Sequence, residues 1–342
     1  MLGRKMELRL GANESSFGLS PSAQRAMEKA VATVGWYGDP ESYDLREELA
    51  GIYGVTLENV VVGAGLDELL GLCAKTFLEP GDRVVNSLGG YPTFNYVAQG
   101  MGAELDLVPY KNDRVDLEGL ALVARERGAK IIYIANPDNP SGSWCTTPEI
   151  AQLVEAMPPD CILLLDEAYY DFAPPEAIPP IDVTDERVIR LRTFSKAHGM
   201  AGARVGYAFA TSEIINAFNR VRMHFEVNRV AQIGALASLR DPAFVSSVAD
   251  EVATGRHDYH KLAAHLGLKS LPSSTNFVLI DLGSFERAKA TLDALLKRGV
   301  FIRMPGAAPL NRCIRVTVGT ASERAAFAKH LAEALAETTA TV

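Results

Sequence analysis

Cysteine is scarce in this chain: among 342 residues there are four, Cys73, Cys145, Cys161 and Cys313, far apart and without a C-x-x-C pair. That distribution argues against a disulfide framework and against a zinc site. No apolar run reaches the roughly eighteen residues that a membrane-crossing helix requires. The opening stretch MLGRKMELRLGANESS lacks the apolar core of a secretion signal, so a soluble, cytoplasmic protein with no membrane partner is expected. Positive charge is not in excess: Lys+Arg total 34 against 42 Asp+Glu, a net charge of −8. That balance argues against a nucleic-acid partner and for a small-molecule one. Three histidines, His257, His260 and His265, share one helical pattern in RHDYHKLAAH. They bring no carboxylate geometry with them, so no metal is expected. Repeats, low-complexity tracts and long linkers are also missing.

What is present is a large apolar fraction, 48% hydrophobic residues, enough for a big domain with a smaller companion. Short aliphatic runs alternate with helical patterns, the signature of α/β architecture with a mainly parallel, mixed sheet flanked by helices. Strands are predicted at 59–65, 82–87, 129–137, 161–170, 187–196 and 203–210. Helices are predicted at 66–78, at 147–157 with Thr147 as N-cap and Pro148 first in the helix, and as one long element over 211–225. After about residue 240 the pattern becomes that of a compact α+β unit. The expected division is an N-terminal arm (1–25) packing on the small domain, a large cofactor-binding domain (26–236) and a small C-terminal domain (237–342).

Open α/β sheets bind ligands at the carboxyl ends of their strands, and there this sequence places polar groups. They are Gly63 to Glu68, Asn136 to Gly142, Asp166 with Tyr169, and Thr193 to Lys196. An acid ending the apolar run ILLLDEAYY needs a cation or strong donor. A pyridinium nitrogen would serve Asp166, because a protonated pyridine is an electron sink for a carbanion beside an amino-acid nitrogen. A lysine can hold an aldehyde cofactor and then act as general acid–base, which requires a lowered pKa. For Lys196 the expected causes are partial burial and the nearby Arg204. The glycine turn VGAGLDELL feeds a helix whose first N–H groups, at Leu66 and Asp67, favour an anion. Thr193 and Ser195 add hydroxyls, and Arg204 adds a forked cation suited to phosphate.

Taken together, NPDNPSG, DEAYYDF and TFSKAHGMAGARVGY resemble the cofactor motifs of the fold type I pyridoxal-phosphate aminotransferases, and the resemblance covers nearly the whole chain. GANESSFG, WYGDPESYDLREELA, VGAGLDELL, HFEVNRVAQIGALASL and IRVTVGT look most like the histidinol-phosphate aminotransferase subfamily. The resemblance implies pyridoxal 5'-phosphate as cofactor, with Lys196, Asp166 and Tyr169 as catalytic residues. Lys196 then carries the cofactor, Asp166 pairs with its ring nitrogen, and Asn139 and Tyr169 bond its phenolic oxygen. Phe94 stacks on the ring. Leu66, Asp67, Thr193, Ser195 and Arg204 form the phosphate cup, and Tyr37 reaches the phosphate of a neighbouring subunit, which implies a homodimer. Arg315 grips the substrate's carboxylate or phosphate and Arg303 is a second arginine for histidinol phosphate, with Asn139 and Asn13 also on the substrate side.

The implied reaction is a ping-pong transamination from histidinol phosphate, or an aromatic or other L-amino acid, to a 2-oxo acid such as 2-oxoglutarate. Ser15 and Ser16 stand where relatives commonly carry a proline-containing pair, and SLGGYPTF departs from the usual approach to the stacking residue. A decarboxylase, lyase or cyclase on the same scaffold is the alternative, and a non-catalytic cofactor-binding regulator a further one. Nicotinamide chemistry is disfavoured because GAGLDE lacks the third glycine of G-x-G-x-x-G.

Overall fold

The computed structural model describes residues 6–339; residues 1–5 of the expected N-terminal arm and residues 340–342 lie outside the described residues. Twelve strands follow in chain order: β1 (Leu8–Arg9), β2 (Val60–Gly63), β3 (Arg83–Ser87), β4 (Glu104–Val108), β5 (Ile131–Ala135), β6 (Ile162–Asp166), β7 (Val188–Thr193), β8 (Gly206–Phe209), β9 (Lys269–Ser270), β10 (Phe277–Asp281), β11 (Val300–Phe301) and β12 (Cys313–Thr317). Seven of them form one sheet in the order β2-β8-β7-β6-β5-β3-β4. β8 runs antiparallel to both β2 and β7, while β7, β6, β5, β3 and β4 are mutually parallel. The sheet is therefore mixed, and every strand except β8 points its carboxyl end to the same edge.

The central strands β5 and β6 are buried along their whole length. Period-two alternation sends Ile131, Tyr133, Ile162 and Leu164 into one apolar layer and Ile132, Ile134, Leu163 and Leu165 into the other. Helices cover both faces, which is why these runs read as continuously aliphatic. Strand β4 was not among the predicted strands. Its sequence ELDLV alternates apolar with acidic residues at the sheet edge, where one face stays accessible.

The helices are α1 (Pro21–Val31), α2 (Tyr43–Tyr53), α3 (Leu66–Phe77), α4 (Thr93–Gly100), α5 (Leu117–Arg127), α6 (Thr147–Ala156), α7 (Ser212–Val221), α8 (Arg229–Leu239), α9 (Pro242–His265), α10 (Phe285–Lys297) and α11 (Ala321–Thr339). The N-cap of α6 is Thr146 rather than Thr147: Thr146 and Glu149 form a capping box, which sets Pro148 one place further into the helix. The long helix predicted over 211–225 stops at Val221. There Arg222 turns to extended backbone, and its guanidinium donates to the Pro40 carbonyl and to Glu41, both at 2.7 Å.

A second, antiparallel sheet, β12-β10-β9, packs with α9, α10 and α11 around Phe277, Ile280, Ile314, Val316 and Phe327. Strand β1 and Leu10 join this unit, since β1 pairs in parallel with β11 and Thr317 donates its N–H to the Leu10 carbonyl at 2.8 Å. Tyr169, Phe172 and Ala197, from the loops after β6 and β7, belong to the same apolar cluster. The two sheets thus meet at the rim where the parallel strands end. All four cysteines are buried and unpaired.

Candidate active site

A cavity of about 800 Å³ lies between that rim and β12. Its floor comes from strand ends: Asp166 closes β6, Thr193 closes β7, and Asn139 sits in the loop after β5. All the site residues named from the sequence line it except Phe94 and Tyr37.

Asp166 is almost wholly buried. One carboxylate oxygen accepts the Tyr133 hydroxyl at 2.7 Å and the other the Ala168 N–H at 2.9 Å, and no cation pairs with it among the described residues. Burial pushes its pKa up to about 6, against the pull of those two donors. An acid in this state lacks one partner, a cation or proton-bearing nitrogen on its cavity side.

Lys196 donates from Nζ to the Asn13 carbonyl oxygen at 3.1 Å and lies 5.6 Å from the Tyr169 ring centre. Its pKa falls to about 8, first through burial and then through the Arg315 guanidinium. The cation acting on it is therefore Arg315, from the distant strand β12. Arg204, expected in that role from its closeness in sequence, is not among the charges that act on Lys196, and it donates to the Ala201 carbonyl at 3.1 Å. Asn13 also donates its amide to the Tyr169 hydroxyl at 2.9 Å, which leaves the phenol's own proton free to point into the cavity. Burial holds the Tyr169 pKa up at about 12, so that proton is retained at neutral pH.

The phosphate-sized end is formed by the start of α3. Gly65, its N-cap, has φ of +89°, and a Cβ there would sit 2.5 Å from the Arg204 guanidinium. Only glycine lets that cation lie over the turn. The Thr193 hydroxyl donates to the Ser195 hydroxyl at 2.9 Å beside it. Arg204 and the Tyr91 hydroxyl converge on the Asp67 carboxylate, at 3.4 Å and 2.8 Å.

Two residues lie outside the cavity. Phe94 is fully buried and stacks on Tyr133 with ring centres 5.4 Å apart. Helix α4 begins at Thr93, which turns Phe94 into the apolar layer. Tyr91, in the turn before the helix, lines the cavity instead, as do Tyr96 and Tyr169. Tyr37 is 77% exposed and stacks on Phe225 at 4.5 Å. Sequence reasoning missed Tyr91, Tyr96 and Glu14, which line the cavity, and Tyr133, which supports Asp166. For Tyr133 the available signal was a hydroxyl-bearing side chain inside the otherwise aliphatic run IIYIA.

These features suit pyridoxal phosphate: a buried acid short of a partner, a buried lysine of lowered pKa, and a glycine-shaped anion cradle at a helix start. Together with the sheet order they define the class as the fold type I pyridoxal-phosphate enzymes. Residues 5–331 match the family described as aminotransferase class I and II, and the chain belongs to that family. Histidinol-phosphate aminotransferase 2 of Carboxydothermus hydrogenoformans is 35% identical over 94% of this chain and 90% of its own length. Histidinol-phosphate aminotransferase of Moorella thermoacetica is 35% identical over 98% of this chain and 87% of its own. The crystal structure of histidinol-phosphate aminotransferase from Sinorhizobium meliloti, in complex with pyridoxal-5'-phosphate, superposes with a TM-score of 0.96. That match is at 44% identity and covers 98% of this chain and 93% of the other. The protein is a pyridoxal-phosphate-dependent aminotransferase of the histidinol-phosphate aminotransferase type. No helix among the described residues is long and apolar enough to cross a membrane.

Proposed function

We propose that the protein moves an amino group from histidinol phosphate to a 2-oxo acid such as 2-oxoglutarate by a ping-pong cycle, as a cytoplasmic homodimer in amino-acid biosynthesis. The observation that carries the substrate assignment is the pair Arg303 and Arg315. Both line the cavity, and their backbones exchange hydrogen bonds of 2.6 and 3.2 Å. Neither guanidinium meets a carboxylate among the described residues: Arg315 donates to Asn139 and to the Gly11 carbonyl, and Arg303 lies over the Phe301 ring. Two cations without counter-ions at one wall suit a donor whose far end is a phosphate. An aromatic or other L-amino acid, held through its carboxylate by Arg315, would leave Arg303 without a partner.

Bound pyridoxal phosphate supplies the electron sink for the bond broken at the substrate's Cα. In this reading Leu66 and Asp67 offer backbone N–H groups to its phosphate, with Thr193, Ser195 and Arg204 beside them. Asp166 keeps the ring nitrogen protonated, while Asn139 and Tyr169 bond the phenolic oxygen. Tyr91 takes the ring-covering place first assigned to Phe94. Lys196 would hold the cofactor, and its free Nζ would take and return the substrate's Cα proton. Asn13 orients both Lys196 and Tyr169. Residues 26–236 act as the cofactor-binding domain, and the described residues from 237 onward as the smaller domain carrying both substrate arginines. The described part of the arm, residues 6–25, packs on the smaller domain.

The dimer reading is supported by an exposed apolar patch: Trp36, Tyr37 and Met223 are each more than 70% exposed, and Phe225 half exposed. A second copy would cover the patch and bring Tyr37 to the neighbouring phosphate. The test compares L-histidinol phosphate with L-phenylalanine as donor to 2-oxoglutarate, following glutamate formation and mass by light scattering. Preference for histidinol phosphate that Arg303→Ala removes selectively is the expected result. Equal use of both donors overturns the substrate assignment, and a monomeric mass overturns the dimer.

A further inference from the structure

We propose that Tyr133 is a positioning residue for the cofactor's ring nitrogen, acting through Asp166 and itself braced by Phe94. The inference rests on the reading that Asp166 faces that nitrogen. Tyr133 is the one hydroxyl-bearing residue in β5, it is 1% exposed, and its hydroxyl donates to Asp166 at 2.7 Å. The Ala168 N–H holds the second carboxylate oxygen at 2.9 Å, so the acid group is fixed at both oxygens before any ligand arrives. The Tyr133 ring cannot turn away, because Phe94 stacks on it at 5.4 Å with an interplanar angle of 27°. This gives Phe94 a task one layer behind the cavity.

The chemistry follows from where the shared proton rests. A carboxylate and a pyridine nitrogen compete for one proton, and a buried carboxylate is the stronger competitor because its charge is poorly solvated. A hydrogen bond to the ionised carboxylate weakens that claim. The Tyr133 hydroxyl therefore leaves the proton on the ring nitrogen. The other ionisable groups acting on Asp166 are Lys196, which favours its charged form, and Asp67, which opposes it. Both belong to the cavity, whereas Tyr133 acts from the protein side.

The test uses full-length protein loaded with pyridoxal phosphate labelled with ¹⁵N in the ring, and reads the nitrogen resonance at neutral pH. Tyr133→Phe keeps the ring on Phe94 and removes only the hydroxyl. It should move the resonance downfield, toward the neutral nitrogen, and weaken retention of pyridoxal phosphate by about tenfold. Tyr133→3-fluorotyrosine is a stronger donor of the same shape and should move the resonance upfield or leave it in place. A downfield move in the fluorotyrosine variant overturns the proposal even if the phenylalanine variant does not fold. An unmoved resonance in Tyr133→Phe, with a shift in Asp166→Asn, overturns the role of Tyr133 alone. No shift in Asp166→Asn overturns the underlying reading of Asp166.

Discussion

Arg315, on β12, donates to the Asn139 side-chain oxygen at 2.5 Å, joining the small sheet to the loop that follows β5. The same guanidinium reaches the Gly11 carbonyl at 3.0 Å, while its buried Nε has no partner among the described residues. A fork that already spends two donors on protein and keeps others for a ligand is specific to arginine. Arg315→Lys should lower kcat/KM by about a hundredfold, chiefly through KM, with the fold retained. Steady-state kinetics over both substrates check this, and an unchanged KM would remove Arg315 from the substrate site.

Lys196 sits where burial and Arg315 hold its ammonium down to about 8. Only the neutral amine is nucleophilic, so the rate at which cofactor-free protein reacts with pyridoxal phosphate should rise through a midpoint near 8 and level off above it. Stopped-flow absorbance across pH measures the midpoint. Arg315→Gln removes one of the two causes and should move it upward, and Lys196→Ala should abolish the reaction.

Gly65 has no room for a side chain: its φ is +89° and a Cβ would press on Arg204. Gly65→Ala should lower stability by about 1–3 kcal/mol and displace Arg204 from the anion cradle. Retention of pyridoxal phosphate on dialysis, compared with that of Gly71→Ala in mid-α3, separates the local effect from a general one, since Gly71 has open space around it.

Glu68, in the first turn of α3, faces Glu226. Burial, followed by the charge of Glu226, raises its pKa from 4.5 to about 7. An acid whose pKa is higher folded than unfolded binds more protons in the folded state between those values. Stability from this group is therefore full below the unfolded value and falls as pH rises through about 7. Glu68→Gln cannot ionise. Its thermal midpoint should exceed that of the parent by on the order of 2 °C at alkaline pH and match it in acid. A constant offset at every pH would show that the Glu68 pKa is not raised in the folded protein.

Some of this was readable along the chain because it is local. An aliphatic run ended by a polar residue identifies a strand and its carboxyl end at once, and β5, β6 and β7 end within a few residues of the expected places. Parallel strands in one sheet must bring those ends to one edge, so Asp166, Thr193, Lys196 and Asn139 could be grouped from order and pattern. The helix start at Leu66 was legible for the same reason, since a glycine turn and a helix onset are properties of adjacent residues.

What the chain's order alone determined is therefore the α/β grammar, the strand ends and the residues that meet there. Only the tertiary structure decided which aromatic residue faces the cavity, which cation depresses Lys196, and what supports Asp166. Tyr91 and Phe94 are near neighbours of similar character, and the phase of α4 against the sheet separates them. Arg204 is close to Lys196 in sequence, yet Arg315 acts on it, because electrostatic influence follows distance through space and the small sheet carries Arg315 across the cavity. Tyr133 reads as one more core side chain until β5 and β6 pair in register and bring its hydroxyl to Asp166.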